Sequence, residues 1–178
     1  MWFKNLKLYH LTQVLDLTED DIQDKLAEFP FRPCGSQELA TMGWTSPLGQ
    51  GDMLVHSAAG KFWVTLKKQE RLLPAAVINA ELAEKVALVE AETGSNVGKK
   101  AQQEMKEEIV QRLLPQAFTK NSFSHGFIST QDNLVVVDAS ADGKAETFLA
   151  MLRKALGSLP VVPLAKQSVQ EELTHWLT

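Results

Sequence analysis

Along this chain the spacing of apolar residues switches repeatedly between a two-residue and a three-to-four-residue period, and each switch predicts a change of element. "WFKNLKLYHL" alternates as a strand, with Leu6, Leu8 and His10 on one face and Lys7, Tyr9 and Leu11 on the other. In "LTEDDIQDKLAEF", Ile22, Leu26 and Phe29 repeat at i, i+4 and i+7 and make the buried stripe of a helix. Thr18 is its predicted N-cap, with Asp21 at capping-box spacing, an acidic first turn that suits the helix dipole, and Pro30 as the stop. Residues 33–52, with Pro33, Gly35, Gly43, Pro47, Gly49 and Gly51, predict an irregular loop. "MLVHSAAGKFWVTLKK" then predicts a hairpin turning near Ala59-Gly60.

After Pro74 the period lengthens again. Ile78, Leu82, Val86 and Val89 form one stripe, "ETGSNVG" interrupts it, and Met105, Ile109 and Leu113 form a second that ends near Pro115. Two antiparallel helices joined by a Gly/Ser/Asn turn account for the pattern. "SHGFIST" and "NLVVVDA" flank a turn at Gln131-Asp132-Asn133. "ADGKAETFLAMLRKALG" follows as a helix with Phe148, Leu152 and Leu156 inward and Gly157 as its C-terminal cap. "LPVVPLA" predicts a short strand that Pro163 confines to an edge or bulge. A last helix, "SVQEELTHWLT", has Ser168 as N-cap and Val169, Leu173 and Trp176 on one face. The expected class is α+β, with antiparallel sheets in two β-containing parts flanking a long helical hairpin insertion. Residues 1–74 and 121–178 are the expected halves of a central domain, and residues 75–120 the helical arm.

Composition narrows the function classes. With 178 residues, 44% hydrophobic and 22% charged, the chain has the make-up of a soluble globular protein able to bury a core. One cysteine makes no internal disulfide and no multi-thiolate zinc site. Lys4 and Lys7 interrupt any apolar leader at the start, and no apolar run approaches a membrane span, so a cytoplasmic protein without membrane contact is expected. A net charge of −4 argues against an evenly basic nucleic-acid binder, but binding depends on where charges sit. Acid is concentrated between Asp16 and Glu28, whereas "KKQER" and "GKK" concentrate base.

Candidate chemistry is sparse. Cys34 would act as a nucleophile only beside a histidine that lowers its pKa, and His10, His56, His125 and His175 lie in no thiol-enzyme motif. A small thiol packed near Trp44 is the simpler reading. The histidines and carboxylates lack metal-ligand spacing, and "GSNVGKK" departs from a phosphate loop, so no catalytic residue, metal or cofactor is expected. The basic residues carry more weight. Lys67, Lys68 and Arg71 close the hairpin, while Lys99, Lys100, Lys106, Arg112 and Lys120 lie on or beside the second long helix. Lys99 and Lys106, seven apart, share a side. Glu104, Glu107 and Glu108 dilute the field, with Glu108 placed to pair with Arg112 at i+4. These cations read either as ordinary helix surface or as phosphate contacts, which need charge but no particular sequence. Phe118 and Phe123, beyond the helix end, read either as core or as exposed anchors between subunits.

"WFKNL" at 2–6, "PCGSQ" at 33–37, "MGW" at 42–44, "LLP" at 72–74, "LLPQAF" at 113–118 and "LRKALGSLPVVPL" at 152–164, taken in order, resemble RdgC, the bacterial recombination-associated protein family. The resemblance implies a non-enzymatic, nucleoid-associated protein that binds duplex DNA with little sequence preference. It implies a ring-shaped homodimer with a basic central hole, restraint of RecA-promoted recombination, and Phe118 as a subunit contact. Family chains continue beyond the position matching Thr178, and that remainder is expected to supply part of the ring and of its basic surface. The alternative expectation is an oligomerisation or partner-docking module without strong DNA binding of its own.

Overall fold

Thr18 accepts a hydrogen bond from the Asp21 backbone N–H (3.2 Å) and Asp21 Oδ2 accepts one from the Thr18 backbone N–H (2.9 Å), so the expected capping box opens the first helix. The structure is a computed structural model and describes residues 3–164. Its elements run β1 (Leu6–Leu11), α1 (Glu19–Ala27), β2 (Ala40–Thr45), β3 (Val55–Ala58) and β4 (Lys61–Arg71). They continue with α2 (Ala75–Thr93), α3 (Lys99–Leu113), a 3-10 turn at Leu114–Gln116, β5 (Thr119–Ser129), β6 (Leu134–Asp138), α4 (Asp142–Leu156) and β7 (Val161–Pro163). The expected helix at "SVQEELTHWLT" lies outside the described residues.

The class is α+β, as expected. The strands on either side of the α2–α3 hairpin, however, join one seven-stranded sheet in the order β2-β4-β5-β6-β1-β7, with β3 on β4. The two β-containing parts are thus one sheet, because β4 and β5, which lead into and out of the hairpin, are hydrogen-bonded neighbours. The β1–β6, β1–β7, β3–β4 and β5–β6 ladders are antiparallel. Pro163 does lie on the outermost strand, where its missing N–H costs no ladder bond. The β3–β4 hairpin turns where predicted, with Ala59 (φ 52°) and Gly60 (φ 71°) both left-handed, as a two-residue turn matched to strand twist requires.

Residues 33–52 are not wholly irregular, since β2 lies within them. Glycine and proline density obscured it, but Trp44 decides the matter. Trp44 is almost fully buried, its backbone N–H donates to the Phe29 carbonyl (2.9 Å), and it bridges Pro30 in parallel. The Gly and Pro residues cluster at the turn that follows, where Gly49 and Gly51 take positive φ.

The chain divides into two compact units, to which β4 and β5 both contribute. The first comprises Met1–Pro30, Trp44–Leu66 and Phe123–Thr178, and it holds the main core. One face of its strands, through Leu11, Val64, Ile128, Val135 and Val137, packs on Ile22 and Leu26 of α1 and on Phe148 and Leu152 of α4. Phe148 meets Trp44 edge to face, with ring centroids 5.5 Å apart. Gly126 of β5 makes room for that ring: a Cβ there would stand 2.7 Å from Phe148 Cζ and 2.8 Å from the Val136 carbonyl oxygen. The second unit comprises Phe31–Gly43 and Lys67–Ser122 and contains the α2–α3 hairpin.

Gly126→Ala should therefore overpack the core and lower stability by roughly 1–3 kcal/mol, measured by urea unfolding. Gly143→Ala, in open space on α4, should change it by far less.

Candidate nucleic-acid interface

All eight cations singled out from the sequence belong to the second unit. In this unit ten Lys and Arg outnumber nine Asp and Glu, so the first unit carries a net charge of −5. The hairpin is antiparallel, tied by cross-helix ion pairs from Lys85 to Glu108 and from Arg112 to Glu81. These replace the expected Glu108–Arg112 pair: both residues face the opposite helix, whose charges lie closer to them than to each other. At the connecting turn, Glu90 Oε1 accepts from the Val97 N–H (2.9 Å) and the Gln102 amide donates to the Val97 carbonyl (3.0 Å).

The eight cations are used in different ways. Arg71 is committed to the fold: its guanidinium donates to the carbonyls of Ala117 (3.1 Å), Pro115 (3.3 Å) and Gly35 (3.0 Å). Lys67 lies over the Phe31 ring at 4.1 Å, and Lys68 pairs with Glu70 at 2.7 Å. Lys68, with a smaller contribution from Lys120, holds the Glu70 carboxyl below its usual range. Arg112 is paired as described. Lys100 reaches Glu104 only at 4.0 Å and is almost fully exposed. Lys99 and Lys106 form no ion pair among the described residues.

Lys99 and Lys100 occupy the first turn of α3, which contains no acidic residue. Cations at a helix N-terminus oppose the macrodipole, at a cost of about 0.3–1 kcal/mol each when exposed. Lys106 follows two turns later in a shallow recess that it shares with Gln103, Glu107, Val110 and Gln111. The structure thus brings Lys99, Lys100 and Lys106 onto one helix, while Arg71 and Arg112 serve internal contacts.

Phe118 is 85% exposed, and Leu72, whose N–H donates to the Phe118 carbonyl (2.7 Å), is 47% exposed. Phe123 belongs to the first unit and stacks parallel to His125 with centroids 6.4 Å apart. Burial lowers the His125 pKa, and its Nδ1 lies 3.0 Å from Thr65 Oγ1.

Cys34 has an architectural setting. Its Sγ lies 3.3 Å from the Gln69 carbonyl and 3.4 Å from Thr41 Oγ1, and its N–H donates to Gln69 Oε1 (2.8 Å). Among the described residues these partners include no histidine. Nor do three or more His, Cys, Asp or Glu side chains among them converge to hold a metal ion. Sequence reasoning missed the latch of this loop: Arg32 makes a two-armed pair with Glu38 (2.6 Å each), whose Oε2 also accepts from the Gly35 N–H (2.7 Å). Its only signal was opposite charges bracketing "PCGSQ".

A family model described as "Putative exonuclease, RdgC" matches residues 1–178. The chain belongs to the RdgC family. It is 94% identical over all 178 residues to the recombination-associated protein RdgC of Pseudoalteromonas atlantica, covering 59% of that protein. Against the proteins of the same name from Aeromonas hydrophila and Psychromonas ingrahamii it is 45% and 43% identical, over 99% and 100% of this chain and 59% and 60% of theirs. The chain therefore spans about three fifths of the length of these RdgC relatives. No helix among the described residues is long and apolar enough to cross a membrane.

The Glu38 latch generates a pH prediction. Arg32, then the Gly35 N–H, hold the Glu38 carboxyl down to about 2 from its usual 4.5. A depressed carboxylate pKa stabilises the fold fully above the unfolded value, and that contribution fades as pH falls from 4.5 towards 2. Glu38→Gln should lower the thermal midpoint at pH 7 and give a shallower decline between pH 5 and 2, followed by circular dichroism.

Proposed function

We propose that this chain is a non-catalytic, sequence-nonspecific DNA-binding part of a recombination-associated protein. The carrying observation is the set Lys99, Lys100 and Lys106 on α3, two of them in a first helical turn that disfavours cations and holds no acid, the nearest being Glu104 at 4.0 Å from Lys100. Phosphate contact turns that unfavourable placement to use, since anionic oxygens supply the missing countercharge. Lys120, Lys67 and Lys68 add positive charge from β5 and β4, whereas Arg71 and Arg112 hold the elements that present it.

The same reading assigns Phe118 as a homodimer contact. A phenylalanine left 85% exposed beside Leu72 leaves apolar surface in water, and a self-complementary contact would remove it. In the longer family members, dimerisation would close a ring around duplex DNA in the nucleoid, and occupancy of the duplex would limit RecA-promoted recombination. Affinity would be electrostatic and the ring would slow escape. The alternative function, a docking module that oligomerises without binding DNA, rests on Phe118 alone.

Reversing Lys99, Lys100 and Lys106 to Glu should weaken binding to unrelated duplexes to the same degree. The log–log salt dependence should flatten by about one unit for each phosphate that is no longer neutralised, read by fluorescence anisotropy. An unchanged affinity and slope would remove α3 from the interface. Phe118→Ala should shift sedimentation towards the monomer while the thermal midpoint stays within about 2 °C, a change expected for an exposed side chain. An unchanged sedimentation coefficient would rule out this contact.

A further inference from the structure

The first unit's sheet has a second face that α1 and α4 do not touch. Strand alternation places Tyr9 and Leu11 of β1, and Val135 and Val137 of β6, in the core, and therefore turns Leu8 and Val136 the other way. Register extends the row: Leu8 is opposite Val136, Val136 is opposite Phe127, and the Leu164 N–H donates to the Leu8 carbonyl (2.9 Å). Phe127 in turn meets Trp63 with centroids 4.9 Å apart, and Phe3 packs on both rings at 5.5 and 5.8 Å. A continuous apolar row thus runs across the sheet through Leu164, Leu8, Val136, Phe127, Trp63 and Phe3. Leu164 is 51% exposed, Leu8 37% and Leu6 beside them 54%, while Phe3, Trp63 and Phe127 are half-buried and Val136 is buried. A pocket of about 470 Å³ opens at Trp63 beside Leu48 and His56.

The strand sequences carry the mark of two-sided burial. An antiparallel sheet wetted on one face alternates apolar and polar residues, whereas "LVVV" in β6 is apolar on both. An apolar face of this extent on a soluble protein marks a covered surface.

We infer that this face is the seat of the additional polypeptide carried by the longer family members, packed on it as a second apolar layer. The length relation selects this occupant. A protein 94% identical to this chain over its whole length carries roughly two fifths more of itself outside the match, so these strands occur within a longer polypeptide. A tethered segment also meets the face at an effective concentration that a separate copy of the chain rarely reaches. Single-stranded nucleic acid fits less well. Stacking platforms combine aromatics with a basic groove, but Leu164, Leu8, Leu6 and Val136 offer no ring, and Lys61 sits over Phe127 at 5.9 Å.

The test compares two chains by hydroxyl-radical footprinting read by mass spectrometry. One is this 178-residue chain; the other is the full-length Pseudoalteromonas atlantica relative carrying this chain's residues in the matched region. Side-chain oxidation at Trp63, Phe127 and Leu8 should fall at least fivefold in the longer chain. Leu8→Lys should lower the thermal midpoint of the longer chain by at least about 3 °C more than that of the shorter, where Leu8 is already 37% exposed. Equal oxidation in the two chains overturns the inference. So does protection that appears in the short chain on raising its concentration, which assigns the face to a second copy. Protection in the short chain on adding oligo(dT) likewise overturns it in favour of a single strand.

Discussion

The edge-to-face contact of Phe148 with Trp44, above a strand that must be glycine at position 126, is the constraint on which the rest of the first unit depends. It seats α4 against the sheet closely enough that a methyl group on β5 would collide with both the ring and the Val136 carbonyl. It also draws β2 into the sheet, because Trp44 reaches the core only if its strand is anchored to Phe29 and Pro30. With α1 and α4 committed to one face, Leu6, Leu8 and Leu164 stay exposed on the other. The core on the first face and these exposed leucines are consequences of the same packing.

In the second unit the deciding question is where each positive charge is satisfied. Arg71 commits its guanidinium to three carbonyls, and Arg112 and Lys85 clamp the helical hairpin from opposite sides. Exposed pairs of this kind add little stability each, but they set the register of a hairpin in which Ile78, Ile109 and Leu114 are the buried hydrophobic side chains. Lys99 and Lys100 are left exposed at the start of α3, and Lys106, half-buried, follows two turns later. Exposed Glu104, Glu107 and Glu108 lie on the same helix, so the sign of its surface is set by where each charge sits rather than by the chain's total.

Much of this was legible in the sequence because the signals were local. The Thr18–Asp21 box, the Ala59-Gly60 turn, the paired stripes of α2 and α3 and the inward set Phe148, Leu152 and Leu156 each follow from spacing alone. What escaped was non-local. Strand β2 was hidden among glycines because its reason for existing is Trp44's partner more than a hundred residues away. The union of all strands into one sheet, the cross-helix partners of Arg112 and Lys85, and the internal role of Arg71 depend on neighbours that spacing does not reveal. The second apolar face was within reach: Phe123, His125 and Phe127 alternate visibly in "SFSHGF", and the run of valines in β6 signals burial on both sides.

The most direct measurement is the affinity of the unmodified chain for two duplexes of unrelated sequence, titrated from low to high salt. The account predicts equal affinities on both and a log–log slope of about −3, as three or four neutralised phosphates require. A slope near zero, or a hundredfold preference for one duplex, would contradict it.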